Sequence, residues 1–145
     1  MKAKEYLSQI RTMKAALDRC LERIEELYHE ASGVKAIVYD KDRVQVSPSN
    51  KLEELMAKID EEAEKWAKLR AKYDREVRKR TDMINRMPKP DHAEILRLRY
   101  LEEGRNGMMT LEEIAVKMHL SFYRTAHLHG EALSEFSRLY KVSKH

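Results

Sequence analysis

The sequence is short of nearly everything that marks an enzyme or a secreted scaffold. A single cysteine, Cys20, occurs in 145 residues, so no intramolecular disulfide can form. Four glycines and three prolines leave little material for loops and tight turns. There is no glycine-rich phosphate loop, no nucleophile elbow and no repeated Cys pair. No enzymatic activity and no cofactor are expected. No apolar run approaches about 18 residues and no secretory segment opens the chain, so a cytoplasmic protein without membrane contact is expected. Six histidines invite a metal ion. His127 and His129, however, lie two apart, about 200° around a helix, and do not share one ligand-facing side. No metal site is expected.

What the chain has is charge and helical periodicity. Charged residues make up 37% and aromatics 7%, so the apolar surface is sparse. Abundant Glu, Lys, Arg, Leu and Ala with a 3.5-to-3.6 repeat points to an all-α fold built on long helices. Over residues 3–31, Ile10, Leu17 and Ile24 repeat with Tyr6, Met13, Cys20 and Leu27 as a coiled-coil-like seam, widened by Leu7, Leu21 and Tyr28. Cys20 in that seam reads as a small buried hydrophobe. Gly33 is expected to end the helix. Residues 33–49 form a connection whose Val34, Ile37, Val38, Tyr39, Val44 and Val46 are β-prone. A small hairpin turning at Asp40-Lys41-Asp42 and a packed irregular loop are equally compatible with it.

Asn50 and Glu53 form a capping box that opens a second long helix, to about Met87. Leu52, Ile59, Trp66, Tyr73, Arg80 and Met87 repeat every seven, and Arg80 marks a place where the seam loosens. Two long helices joined by a modest loop read as an antiparallel hairpin over residues 1–88, used for oligomerisation or docking. Charge on the second helix is segregated. Residues 53–64 hold six acids and one Lys, and residues 65–80 hold eight bases and two acids. The basic half is either a solvated face or a ridge, centred on Arg75, Arg78 and Lys79, that touches DNA phosphates. Acid-to-base pairing of two copies is a third reading.

Pro88 and Pro90 break the helix, and Asp91 with Glu94 offers a third capping box. A helix over 92–102 follows, then a flexible loop from Glu103 to Gly107. Thr110 caps a short helix, with Glu113 completing the box, and Leu111, Ile114, Ala115 and Met118 share its apolar face. The helix should stop near His119. Ser121 then caps a longer helix that buries Thr125, Leu128, Ala132, Leu133 and Phe136, and the tail after Tyr140 is expected to fray. A short helix, a tight turn and a second helix are the grammar of a helix-turn-helix, placed here in a domain over 91–140.

The residues carry a further resemblance. Thr-Leu-Glu-Glu-Ile-Ala (110–115), Leu-Ser (120–121), Ala-Leu (132–133) and the upstream Ile-Leu-Arg-Leu-Arg-Tyr (95–100) resemble region 4 of bacterial sigma-70 factors, over about a third of the chain. The His-Gly-x-Ala-Leu variant (129–133), Asp-x-Val-x-x-Ser-Pro (42–48) and Tyr6-Leu7 are similar to small phage and prophage regulators of Gram-positive bacteria, of the ArpU and RinA late-gene types. The resemblance implies a three-helix, sigma-70 region 4-like helix-turn-helix after the hairpin, and a DNA-binding transcription regulator that reads DNA through the helix starting at Ser121. It does not extend to reading a −35 element. Where sigma region 4 places charged and amide side chains, this chain has Phe122, Tyr123, Ala126 and His127, with Arg124 the one base.

Candidate DNA-binding residues are Ser121, Tyr123, Arg124, His127 and Lys117. Phe122 is expected to pack against Met108 and Met109, and His129 to pack or cap a neighbour. Expected partners are double-stranded DNA, host RNA polymerase and a second copy of the chain, in a homodimer or larger homo-oligomer. Residues 91–145 carry eight bases and eight acids. That neutrality tells against DNA, because cations usually supply most of the affinity. Two rivals therefore stand: an assembly protein resembling small terminase subunits, and a protein-only adaptor.

Overall fold

A computed structural model describes residues 2–38, 48–104 and 107–143, with side chains at 2–34, 50–104 and 107–142. The fold is all-α. Helix α1 spans Ala3–Val38 and α2 spans Pro48–Asn85. Helix α3, Pro90–Leu96, runs into a π-helical turn, Arg97–Leu101. Strands β1, Glu103–Gly104, and β2, Gly107–Met108, make a minimal antiparallel ladder. Helices α4, Leu111–Met118, and α5, Phe122–Ser143, complete the chain. The residues divide into two compact units, Lys14–Lys72, and Met1–Met13 with Tyr73–His145.

In the Lys14–Lys72 unit, α1 and α2 run antiparallel. Cys20 Sγ–H donates to the Glu62 carbonyl at 3.4 Å, and Arg23 reaches the Glu62 carboxylate, also at 3.4 Å. Further along, Ala31 and Val34 of α1 bury against Leu55 of α2, flanked by Leu27 and Leu52. Burial, and then the Glu62 carboxylate, push the Cys20 thiol above its ordinary value and keep it a neutral, buried group.

Several expectations need correction here. Helix α1 does not end at Gly33 but continues to Val38. A glycine costs a helix about 1 kcal/mol, and burying Ala31 and Val34 on either side of it offsets that. Val34 and Val38 are therefore helical despite their β propensity, and the hairpin or irregular loop considered around Asp40-Lys41-Asp42 lies outside the described residues. Helix α2 starts at Pro48, whose fixed φ suits a first turn, so Asn50 lies inside the helix and is not its cap. The apolar stripes are also wider than the interface. Leu21, Tyr28, Met56 and Leu69 stay exposed, because two helices enclose one seam and leave the flanks of each stripe in water.

The other unit is organised around Arg80, which is 0% exposed. Its Nε–H donates to the Tyr6 carbonyl at 2.9 Å, and its Nη2 to Gln9 Oε1 at 2.9 Å. Nη1 serves the Glu76 carbonyl at 3.0 Å and the Glu76 carboxylate at 2.7 Å. The Arg80 guanidinium also lies 3.8 Å over the Tyr6 ring, and that ring packs on Tyr140 of α5 at 4.7 Å between centroids. Arg80 is thus an anchor, not the loosened seam position its charge suggested. Its hydrogen bond holds the Glu76 carboxyl below the usual carboxylate range against the opposing effect of burial.

Around this column Leu7, Ile84, Ile95, Leu96, Ile114, Phe136 and their neighbours form one apolar core. Pro88 and Pro90 turn the chain out of α2, as the sequence predicts. Asp91 does not cap α3, because Pro90 already occupies the first turn with Lys89 as N-cap, and Glu94 pairs with Arg97 at 2.9 Å instead. The loop before α4 is pinned by its two-residue ladder. Gly104 permits this, since a Cβ there would stand 2.8 Å from the Met109 Cα. At the other end, α5 stays helical past Tyr140 to Ser143.

Arg80→Ala should lower unfolding free energy by about 3–5 kcal/mol in denaturant titration, because it leaves three oxygen acceptors unmet and the Glu76 carboxylate with Lys79 alone. Arg80→Lys should recover little of that, as an ammonium cannot reproduce the fork or lie flat on Tyr6. A loss below about 1 kcal/mol in Arg80→Ala would contradict the anchor.

Candidate nucleic-acid interface

The helix-turn-helix is set by local hydrogen bonds that the sequence announces. Thr110 is extended, and its Oγ1 accepts the Glu113 N–H at 3.2 Å. Ile114 and Ala115 form the buried side of α4. His119 closes α4 in the left-handed region at φ 59° and ψ 42°, a conformation His tolerates better than most side chains. Its N–H reaches the Val116 carbonyl, and the Leu120 N–H returns to Ala115 O at 2.9 Å, the pattern of a Schellman stop. Ser121 then caps α5, with Oγ accepting the Arg124 N–H at 3.1 Å. Thr125, Ala132 and Phe136 of α5 are buried, and Leu128 and Leu133 are partly buried, as expected.

That burial decides what α5 shows to solvent. The line opposite Thr125 carries Tyr123, His127, Gly130 and Ser134, with Arg124 and Glu131 along one flank and Ala126 along the other. Tyr123 is 80% exposed and Phe122 51% exposed, so Phe122 is not the packed residue expected from the sequence. It opens the helix, where no neighbouring turn covers it. The Tyr123 and His127 rings lie tilted at 34° to one another, their centroids 6.4 Å apart. His127 Nδ1 meets the Glu131 carboxylate at 2.9 Å. The Arg124 side chain has no ion pair among the described residues.

Ser121, Tyr123, Arg124 and His127 thus share the exposed first turns of α5. Lys117 sits on α4, tied to Glu102 at 3.5 Å. Arg75, Arg78 and Lys79 are exposed on α2, with Lys79 held to Glu76 at 3.4 Å. Val116 of α4, 77% exposed, is a further apolar side chain in water.

The sequence reading missed the pairing of His92, and it expected His129 to pack or cap a neighbour without naming which. His92 of α3 is buried, its Nδ1 paired with Glu135 and its Nε2 3.5 Å from Glu131. His129 lies against Tyr100, Nε2 to hydroxyl 2.9 Å. Their partners lie 43 and 29 residues away, and no local spacing announces such pairs. Burial, then Arg99 and Lys4, lower the His129 pKa to about 4, so the ring is neutral near pH 7. Among the described residues no cluster of three or more His, Cys, Asp or Glu is arranged to hold a metal ion, and no helix is long and apolar enough to cross a membrane.

Compared with protein-family models, curated proteins and solved structures, the chain matches none of them.

The His129 environment has a pH signature. An unfolded histidine titrates near 6.5, whereas folded His129 resists protonation until about 4. The unfolded chain therefore binds the extra proton between those values. The stabilisation is complete above about pH 6.5 and is lost as pH falls toward 4. For a partly buried ring, solvent screening reduces the effect to about 1–2 kcal/mol. His129→Phe should remove that part of the acid destabilisation in denaturant titrations at pH 7 and pH 4.5. An unchanged difference between the two pH values would reject the assignment.

Proposed function

We propose that this protein binds double-stranded DNA through the first turns of α5, as a sequence-reading regulator of transcription. One observation carries the reading. The capped start of α5 projects Tyr123, Arg124 and His127 into solvent on a helix whose opposite side is locked into the core. An α-helix presented this way fits the major groove. Arg124 suits a guanine edge or a phosphate, and Tyr123 suits a phosphate or a thymine methyl. The Ser121 hydroxyl hydrogen, free of the capping bond, suits a phosphate. The resemblance to phage and prophage late-gene regulators supports the same reading, and none of it calls for catalysis.

The composition of the folded unit eases the charge problem. Residues 91–145 alone are neutral, but the unit that contains them carries 17 bases and 12 acids. The surplus comes from the ends of the hairpin, including Arg75 and Arg78. The exposed Leu21, Tyr28, Met56 and Leu69 of the other unit supply apolar surface for a second copy. Pairing would let two weakly charged reading heads act together. Exposed Val116, Phe122 and Tyr123 favour one alternative, a protein partner such as RNA polymerase at the same face.

Selection of duplexes from a randomised pool at about 100 mM salt tests the reading. Enrichment of one motif by the full chain is expected, and its loss in an Arg124→Ala, Tyr123→Ala double variant. A two-fold motif would accompany a dimer. No enrichment by the folded protein would reject DNA reading in favour of the protein partner.

The ridge is tested separately. Replacing Arg75, Arg78 and Lys79 with Gln should lower the slope of log affinity against log salt by up to about three, near one for each phosphate left without its cation. An unchanged slope would make the ridge a solvated face.

A further inference from the structure

We propose that Lys4 and Arg11 of α1, with Arg99 of the π-helical turn, form a phosphate-binding site beside Tyr100 and His129. Lys4 and Arg11 are seven apart and share one side of α1. Arg11 Nη2 donates to the Arg99 carbonyl at 3.5 Å, and its guanidinium lies 5.9 Å from the Tyr100 ring centroid. Arg99 Nη1 donates to the Met109 carbonyl at 2.7 Å, which fixes that guanidinium in place. The Tyr100 hydroxyl meets His129 on α5, so all three elements converge on one spot.

Two features separate this cluster from ordinary surface charge. No carboxylate pairs with Lys4, Arg11 or Arg99 among the described residues, and α1 carries no acid between Glu5 and Asp18. Every other buried or half-buried arginine of this unit has one: Arg80 has Glu76 and Arg97 has Glu94. In addition, Arg11 Nε is buried with no hydrogen-bond partner. Like charges gathered without counter-charge favour an anion. The crowding of like charge has an electrostatic consequence. Burial and then Arg99 lower the Arg11 pKa, and Arg99 and Lys4 help keep His129 neutral. A planar guanidinium with an N–H group left unmet, grouped with a second guanidinium and an ammonium around the same tyrosine–histidine pair, suits a tetrahedral oxyanion.

The shared chemistry is a phosphate group, from the DNA backbone or from a small phosphorylated ligand. The first source rests on the proposed DNA binding and the second does not. The site lies on the unit that holds α5, and its Lys4 and Arg11 would add to the cations of residues 91–145.

The test uses the full chain and two variants, Arg11→Gln and Lys4→Gln. Lys4 is exposed, so its replacement leaves the fold intact even where Arg11→Gln does not. One arm measures melting temperature in sodium tripolyphosphate against sodium chloride at equal ionic strength. The other measures the salt dependence of binding to a duplex. Tripolyphosphate should raise the melting temperature of the parent protein by several degrees more than chloride does, and each variant should lose most of that rise. If the backbone is the source, each variant should also lower the salt slope by about one. A tripolyphosphate effect with an unchanged slope, or with no duplex binding at all, supports the small-ligand source. Equal response to both salts in parent and variants, with an unchanged slope, overturns the site.

Discussion

A guanidinium removed from water must have its N–H groups met, and the unit that carries the helix-turn-helix is built around meeting those of Arg80. Desolvating such an ion costs several kcal/mol, which only well-placed acceptors recover. Arg80 finds two backbone carbonyls, an amide oxygen and a carboxylate, from α1 and from its own helix. The flat face of the ion rests on Tyr6, and Tyr6 rests on Tyr140 and Phe136. One polar and aromatic column therefore links α1, α2 and the C-terminal half of α5. Its geometry tolerates few alternatives, because a shift of one helix relative to another would leave a buried charge unpaired.

The functional consequence concerns α5. Its second half is held by the column and the apolar core. Its first half is fixed by the Ser121 cap and by Thr125, while Tyr123, Arg124 and His127 face solvent. Side chains on a rigid helix can be read by a partner without an ordering cost, which is how recognition helices function. The exposed set is nevertheless unusual in being mostly aromatic and weakly charged, and His127 is engaged with Glu131. Under the proposed DNA binding, affinity for a polyanion would then come from elsewhere on the same unit. The ends of the hairpin provide the cations, on α2 as a ridge and on α1 and the π-helical turn as a cluster without carboxylates.

Local signals were legible wherever a residue acts on its own turn of chain. Thr110 caps as its spacing to Glu113 implies, Ser121 caps at the start of the next apolar repeat, and His119 stops α4 where the preceding one ends. The prolines at 88 and 90 break α2. Errors arose where local chemistry competed with burial. Gly33 reads as a terminator until Val34 and Ala31 are seen to bury against Leu55. Asn50 and Asp91 read as caps until Pro48 and Pro90 take the first turns. Phe122 reads as packed against Met108 and Met109 until its place at the open end of α5 leaves half of it in water.

The sequence by itself determined the all-α class, the two long helices and the turn geometry, because these depend on interactions between residues three, four or seven apart. It also singled out Tyr123, Arg124 and His127, since the residues buried on α5 are spaced by its own period. Only the tertiary structure decided what Arg80, His92, His129 and Arg11 do. Each draws its environment from residues on another element, 29 to 88 positions away. A charge in a seam is a defect or an anchor according to what faces it, and no periodicity within one helix records that.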